Sequence, residues 1–421
     1  MRSPAPFSPV CGRGIDASAR SVRLRRTRPA WTVVGVVATI CPMFKFEVLA
    51  RDRNTSARRG RLTTPHGTVD TPVFMPVGTR GAVKGILPDA LAATGTRIVL
   101  ANTYHLQLRP GADLIERLGG LHRFMGWPGP ILTDSGGYQV FSLPELVEID
   151  DGGVTFRSPV DGQVLRLDPR TATHIQNRLG ADLIMCFDQC PPYPCTATEV
   201  SAAVERTVRW AAECRTAHQR PEHQWLFGIN QGGVDETLRR RCAEALAEID
   251  LPGCAIGGLS VGESHEQRIA IVHALCPLLP ADRPRYLMGV GMPRDILAAV
   301  VCGVDMFDCV LPTRNGRNGY AFTATGALRL RNARHAADER PIESGCTCPA
   351  CERFSRAYLR HLFMTGEMLG PILVSIHNLS FYQRFMGRLR DLIEIDRTTR
   401  ITDEFPIAAM AAGDDQEKDD T

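Results

Sequence analysis

Two carboxylates sit in the short apolar run Val304-Asp305-Met306-Phe307-Asp308-Cys309-Val310, and two arginines follow in Leu311-Pro312-Thr313-Arg314-Asn315-Gly316-Arg317. So short a run reads as a buried strand, and the proline ends it in a Gly/Asn-rich loop. A carboxylate at the mouth of such a strand can attack an electrophilic carbon or move a proton. Arg314 and Arg317 can grip phosphate oxygens in bidentate geometry. Asp305 is the rival acid; opposite side-chain parity in a strand sends it to the other face from Asp308.

Downstream lie Cys346, Cys348 and Cys351, and then His377. A sulfur-rich set of four ligands favours tetrahedral zinc, with no position left open, so the ion is expected to be structural. It would staple a loop-rich segment that lacks its own core. His377 is read as the start of a helix continuing through Leu379–Ile395, and His361, in an apolar helical pattern, is the other available histidine. Packed thiols and a core histidine are the bland alternative, which leaves the Cys-x-Cys-x-x-Cys spacing in a polar stretch unexplained.

The elements that must position these groups show a rhythm from Thr71 onward. Short apolar runs occur at Val73–Val77, Ile98–Ala101, Ile131–Thr133, Leu183–Phe187, Trp225–Ile229, Cys254–Gly258, Tyr286–Val290 and Met306–Val310, with helical patterns such as Ala202–Ala217 and Asp235–Ile249 between them. Eight strand–helix repeats predict a (β/α)8 TIM barrel, an α/β fold, with the zinc-binding subdomain inserted near its C-terminal end. A doubly wound sheet is the alternative, but no GxGxxG follows the first strand. Polar groups and glycines gather just after the runs: Asn102 to His105, Asp134 to Gln139, Asp188 to Cys190, Asn230 to Gly233, and Leu259 to Glu263. A barrel builds its active site at those strand ends.

Asp134, Asp188 and Asp308 can converge over one pocket. Carboxylates suit cleavage and formation of a glycosidic bond, one holding the anomeric carbon and another handling the leaving group's proton. Arginines nearby point to a phosphorylated substrate, and a nucleotide in RNA joins both features. Acting on a base also needs a donor/acceptor pocket and an apolar sandwich. Asp188, Gln231 and Gly258 can supply the first, Tyr138 and Met288 the second. Met288 equally reads as core, and Gln231 as a loop cap.

The chain has 421 residues, 44% of them hydrophobic, a formal charge of +3 and 14 cysteines. That supports a sizeable core. From Arg314 to Arg400 there are fourteen arginines, no lysine and eight acids, which reads either as an Arg-rich surface or as a phosphate-contacting face. The scattered cysteines read as buried thiols in a reducing compartment, hence a cytoplasmic protein. Residues 1–42 hold an arginine cluster before an apolar run, Trp31 to Cys41, too short to span a bilayer. They read as an added leader or as translation assigned from too far upstream. The folded domain is expected over 43–407, with its zinc-binding and RNA-contacting region at 316–395, and a disordered acidic tail at 408–421. No membrane association is expected.

Taken together, Asn102-Thr103-Tyr104-His105-Leu106, Thr133-Asp134-Ser135-Gly136-Gly137-Tyr138-Gln139, Phe187-Asp188-Gln189-Cys190, Gly228-Ile229-Asn230-Gln231-Gly232-Gly233, Gly257-Gly258-Leu259-Ser260-Val261-Gly262-Glu263, the Phe307–Gly316 segment and the cysteine cluster with His377-Asn378-Leu379 resemble the tRNA-guanine transglycosylase family in its bacterial form. The likeness runs from about Met43 to about residue 400. It implies a zinc-containing TIM barrel that exchanges guanine at the wobble position of tRNAs with a GUN anticodon (those for Asp, Asn, His and Tyr) for the 7-deazaguanine preQ1, in queuosine biosynthesis. By the resemblance Asp308 is the nucleophile on ribose C1′ and Asp134 the general acid/base, also touching the base. Asp188, Gln231 and the Gly258-Leu259 backbone read the base, Tyr138 and Met288 flank it, Cys190 and Val261 line its pocket, and Thr313, Arg314 and Arg317 contact tRNA. Cys346, Cys348, Cys351 and His377 hold one structural Zn2+ per subunit of a homodimer.

Two displacements at one carbon give net retention, as in a retaining glycosidase. Arginines near Asp308 are expected to help keep it ionised. Val261 is the bacterial spelling, suited to preQ1, whereas Ser260 leans to the eukaryotic one, so queuine stays open as the preferred base. A non-catalytic zinc-stabilised tRNA-binding subunit and a barrel glycosidase acting on free sugars are the rivals. The first is disfavoured by the presence of both Asp134 and Asp308, the second by the metal-and-arginine segment.

Overall fold

The structure, a computed structural model, describes residues 44–141 and 146–410. The expectations for residues 1–42, and for the tail beyond 410, lie outside the described residues. Eight parallel strands form the centre: β1 (Val73–Pro76), β2 (Val99–Ala101), β3 (Ile131–Thr133), β4 (Leu183–Met185), β5 (Trp225–Asn230), β6 (Gly253–Ile256), β7 (Arg285–Leu287) and β8 (Met306–Cys309). Each pairs with the next from β2 to β8, and β8 pairs with β1. A parallel bridge between Val77 and Leu100 joins β1 to β2 and completes the ring. The eight apolar runs therefore become the eight staves of a (β/α)8 barrel.

Alternation along each strand sorts the side chains. Met306 packs inside the barrel with Met75, Leu132, Met185, Phe227 and Tyr286, while Phe307 packs outward among the helices. Asp308 therefore returns to the inner face, at the end of β8.

The N-terminal end of the barrel is closed by an antiparallel sheet, Lys45–Arg51, Arg58–Thr64 and Gly67–Thr71. Its contacts fall on residues that begin barrel strands. Phe44 stacks on Trp225 with ring centres 5.3 Å apart. His66 Nδ1 and His122 Nε2 each bond Asp182, at 2.8 and 2.9 Å. Arg58 clamps Asp305, Nε to Oδ1 at 2.9 Å, and both side chains are wholly buried. Asp305 thus belongs to the closed end, as far along β8 from Asp308 as the strand allows, so it is excluded as the rival nucleophile.

Four features depart from the sequence reading. A second antiparallel sheet, Leu146–Asp150, Gly153–Arg157 and Val164–Leu167, follows β3; its mixed polar strands carry no apolar run. The segment after β8 is a helix, Leu311–Arg317, rather than a loop, because Pro312 sits in the first turn, where no amide donor is missed. The region beyond it contains the hairpin Tyr320–Thr323/Gly326–Arg329 and has its own small core, including Ala321, Leu330, Leu359 and Phe363. The long helix begins at Leu369 and ends at Glu394, so His377 lies buried inside it rather than at its start. Gly316 is needed where the two helices cross: a Cβ there would lie 2.7 Å from Ser375 Cα.

Candidate active site

A cavity of about 480 Å³ opens at the C-terminal ends of the strands. Asp134, Tyr138, Asp188, Cys190, Gln231, Gly258, Leu259, Val261, Met288, Asp308 and Arg314 all line it. The fold thus gathers residues from six strand exits spread over some 180 positions of sequence.

Asp308 Oδ1 accepts the Tyr286 hydroxyl at 2.6 Å and the Gly289 amide at 2.8 Å. Burial raises the Asp308 pKa, and these two donors hold it back. They occupy one oxygen of the carboxylate. The expected arginine neighbours do not bond Asp308; a phenol and an amide do that work.

Asp134 follows β3. Its Oδ2 accepts the Asn102 side-chain amide and that of Gln139, the latter at 2.8 Å, and its Oδ1 takes the Thr103 amide at 2.8 Å. Burial pushes its pKa up to about 6, the three donors oppose that, and the Asp308 charge adds to it. A carboxyl poised there can both give and take a proton near neutrality.

Asp188 receives Gln231 Nε2 at 2.7 Å and Ser135 Oγ at 3.4 Å, and burial also raises it to about 6. Gln231 Oε1 is buried without a hydrogen-bond partner, an acceptor aimed at a missing donor. Gly258 stands beside it in the left-handed region, at φ +65°, where a Cβ would collide with Gln231 Oε1. The next residues are set by Glu263, which accepts the Ser260 amide at 2.5 Å and the Val261 amide at 3.0 Å. Arg268 Nε holds Glu263 at 2.6 Å and Arg268 Nη1 reaches Asp295 at 2.8 Å. Tyr138, 56% exposed, and half-buried Met288 complete the walls. Such a pocket suits a flat heterocycle with both donors and acceptors at its edge.

Asn102, Gln139, Tyr286 and Glu263 are the positioning residues that the sequence reading did not assign a role. Asn102, Gln139 and Glu263 stand at strand exits, where a signal existed. Tyr286 sits in an apolar strand and has none.

On the Leu311–Arg317 helix, Arg314 is exposed at the rim, and Arg317 is half-buried one turn on. Thr313 is buried, with its hydroxyl bonded to the Val310 carbonyl at 3.2 Å. It therefore braces the helix turn and is not presented to the cavity.

The three cysteines and His377 form one buried cluster, their ligand atoms within 4.8 Å of one another. His377 Nδ1 lies 3.8, 3.5 and 3.3 Å from the sulfurs of Cys346, Cys348 and Cys351. Tetrahedral zinc, with bonds of about 2.3 Å to sulfur and about 2.0 Å to nitrogen, separates such ligands by roughly 3.5 Å. His377 Nε2 bonds the Phe322 carbonyl at 2.7 Å. That oxygen can only accept, so Nε2 carries the proton and Nδ1 keeps its lone pair for a metal. The next residue, Asn378, gives Nδ2 to the carbonyls of Pro312 and Tyr320, each at 2.9 Å, and takes the Phe322 amide at 2.9 Å.

Residues 52–409 match the family model described as "Queuine tRNA-ribosyltransferase". A protein of that name from Syntrophobacter fumaroxidans is 54% identical over 355 residues, covering 84% of this chain and 95% of its own length. One from Moorella thermoacetica is 54% identical over 364 residues, with 86% and 97% covered. One from Nostoc sp. is 54% identical over 355 residues, with 84% and 95% covered.

Proposed function

This chain belongs to the queuine tRNA-ribosyltransferase family, and on that premise we propose that it exchanges guanine at the wobble position of GUN-anticodon tRNAs for preQ1. The observation that carries the reading is the pair Asp308 and Asp134 in one pocket, the first held by two donors on a single oxygen and the second buffered near neutrality.

The Asp308 carboxylate attacks C1′ of the target ribose, and the glycosidic bond to guanine breaks. Asp134, protonated, gives its proton to the departing base. A covalent ester between Asp308 and the RNA remains. The incoming base then loses a proton to Asp134 as its nitrogen attacks C1′, and Asp308 leaves with its charge restored. Each displacement inverts the carbon, so the product keeps the original configuration. One glycosidic bond replaces another, and no energy source is consumed.

Asp188 accepts donor groups on the base edge, Gln231 Oε1 accepts another, and backbone groups at Gly258-Leu259 fix the remaining edge. Tyr138 and Met288 sandwich the ring, while Cys190 and Val261 bound the side where a 7-substituent would lie. Arg314 and Arg317 take flanking phosphates. One structural Zn2+ per subunit, held by Cys346, Cys348, Cys351 and His377, would neutralise the thiolates and pin the subdomain.

The enzyme acts as a homodimer in the cytoplasm on this reading. Tyr358, Met364, Met368 and Leu369 expose apolar surface on the metal-binding side, as a subunit interface would. No disulfide joins any of the twelve described cysteines, and no helix among the described residues is long and apolar enough to cross a membrane.

The reading is tested with labelled guanine and unmodified GUN tRNA, beside Asp308→Asn. Label should enter only that tRNA, preQ1 should block it, and the variant should abolish it. Folded, zinc-loaded protein that binds tRNA yet incorporates nothing would leave the non-catalytic subunit as the better account.

A further inference from the structure

A second cleft, of about 620 Å³, lies on the flank of the barrel and shares no residue with the cavity around Asp308. It runs between the helix Pro88–Ala93, the long helix Leu369–Glu394 and the N-terminal sheet, with Cys346–Pro349 along one edge. Arg61, Arg97, Arg384 and Arg390 reach into it, and Asp70 is the only acid in its lining.

These charges are unequally matched. Asp70 is taken by Arg61 at 2.7 Å and by Arg59 at 3.4 Å, and Arg384 pairs with Glu343. Arg390 gives Nη1 to the Pro72 carbonyl at 2.7 Å. Among the described residues neither Arg390 nor exposed Arg97 has a carboxylate in ion-pair contact. Burial disfavours the Arg390 charge, with Asp70 offsetting part of that. A half-buried guanidinium with no carboxylate paired to it costs free energy that an entering anion would recover. The Arg97 guanidinium and the Arg390 nitrogens not given to Pro72, with hydroxyls of Thr68, Thr347 and Ser380 nearby, match phosphate oxygens, which accept at several angles, better than they match a single carboxylate.

We infer that this cleft binds the phosphodiester backbone of tRNA outside the anticodon loop, as an anchoring site separate from the one that receives the target nucleotide. The inference rests on the tRNA reading above, whose substrate is far larger than the catalytic cavity and must lie across more of the surface.

The test compares full-length tRNA with an isolated anticodon stem-loop, both carrying wobble guanine, on the wild-type protein, Arg97→Glu and Arg390→Gln. Arg97 is exposed, and among the described residues its side chain makes no hydrogen bond or ion pair, so its replacement tests charge; Arg390→Gln should act in the same direction. Arg97→Glu should raise KM for full-length tRNA about fivefold or more, leave kcat and the stem-loop KM unchanged, and flatten the slope of log KM against log salt by about one. Equal effects on both RNAs, or none on either, would overturn the inference. So would a change in the sedimentation of the RNA-free protein, which would assign the cleft to subunit contact. Wild-type exchange on the stem-loop tests the reaction itself; only the contrast between the two RNAs tests the cleft.

Discussion

The Tyr286 hydroxyl donates to Asp308 Oδ1 over 2.6 Å from within the barrel wall, one strand away from the carboxylate it holds. Its phenol is fully buried and pushed well above the ordinary range, first by burial and then by the Asp308 charge, so it remains a donor. Removing the hydroxyl takes away a bond that favours the ionised carboxylate, and the Asp308 pKa should rise. Tyr286→Phe should lower kcat roughly tenfold or more, move the acid limb of the kcat–pH profile upward, and leave KM for the free base unchanged. A profile that keeps its acid limb would refute the link.

Asp134, near 6, should divide the two half-reactions by pH. On the proposed mechanism guanine departure uses its protonated form, so formation of the covalent RNA adduct should fall about tenfold per pH unit above that value. Base capture uses the ionised form and should fall below it. Adduct trapped on denaturing gels, across pH and with or without preQ1, reads the two limbs separately. Asp134→Asn should abolish both.

Gly258→Ala tests the base-reading edge. A Cβ there meets Gln231 Oε1, and the backbone is left-handed. KM for the base should rise roughly tenfold or more, with tRNA affinity unchanged. Equal losses in base and tRNA binding would mean that the substitution had disturbed the barrel instead.

The Arg58–Asp305 clamp should matter to stability and not to chemistry. Arg58→Met strands a buried carboxylate and should cost about 3–5 kcal/mol in urea unfolding, whereas Arg58→Met with Asp305→Leu should recover most of it. Residual exchange activity of the folded single variant should be near wild type.

Chelation of the metal, or His377→Ala, should lower Tm by on the order of 10 °C and weaken tRNA binding. The path runs through Asn378, whose side chain ties Pro312 at the base of the arginine helix to the hairpin. Binding of free base in the barrel mouth should persist.

Much of this candidate site is legible in the sequence, because barrel strands are short apolar runs and the polar groups that line the cavity stand just beyond them. Asp134, Asp188, Gln231 and Asp308 were found that way. Tyr286 was not, since a tyrosine inside an apolar strand looks like packing until its hydroxyl is seen at the mouth. The Leu311–Arg317 helix hid behind its Gly and Asn content, which local propensity assigns to a loop and packing on Ser375 overrides. The mid-helix place of His377 was masked by Ser375, His377 and Asn378 together, a polar stretch on a buried face that reads as a boundary. Thr313 looked exposed beside its arginines, and only the turn geometry turns it inward.

The ring of staves is not equally tight all round. Seven of its seams are ladders, but β1 meets β2 through the Val77–Leu100 bridge, and both of those residues also face the catalytic cavity. The weakest seam of the wall therefore stands at the cavity that Asp308 also lines. Amides along this seam should be the first in the barrel to exchange with deuterium, and the first to be quieted when RNA arrives.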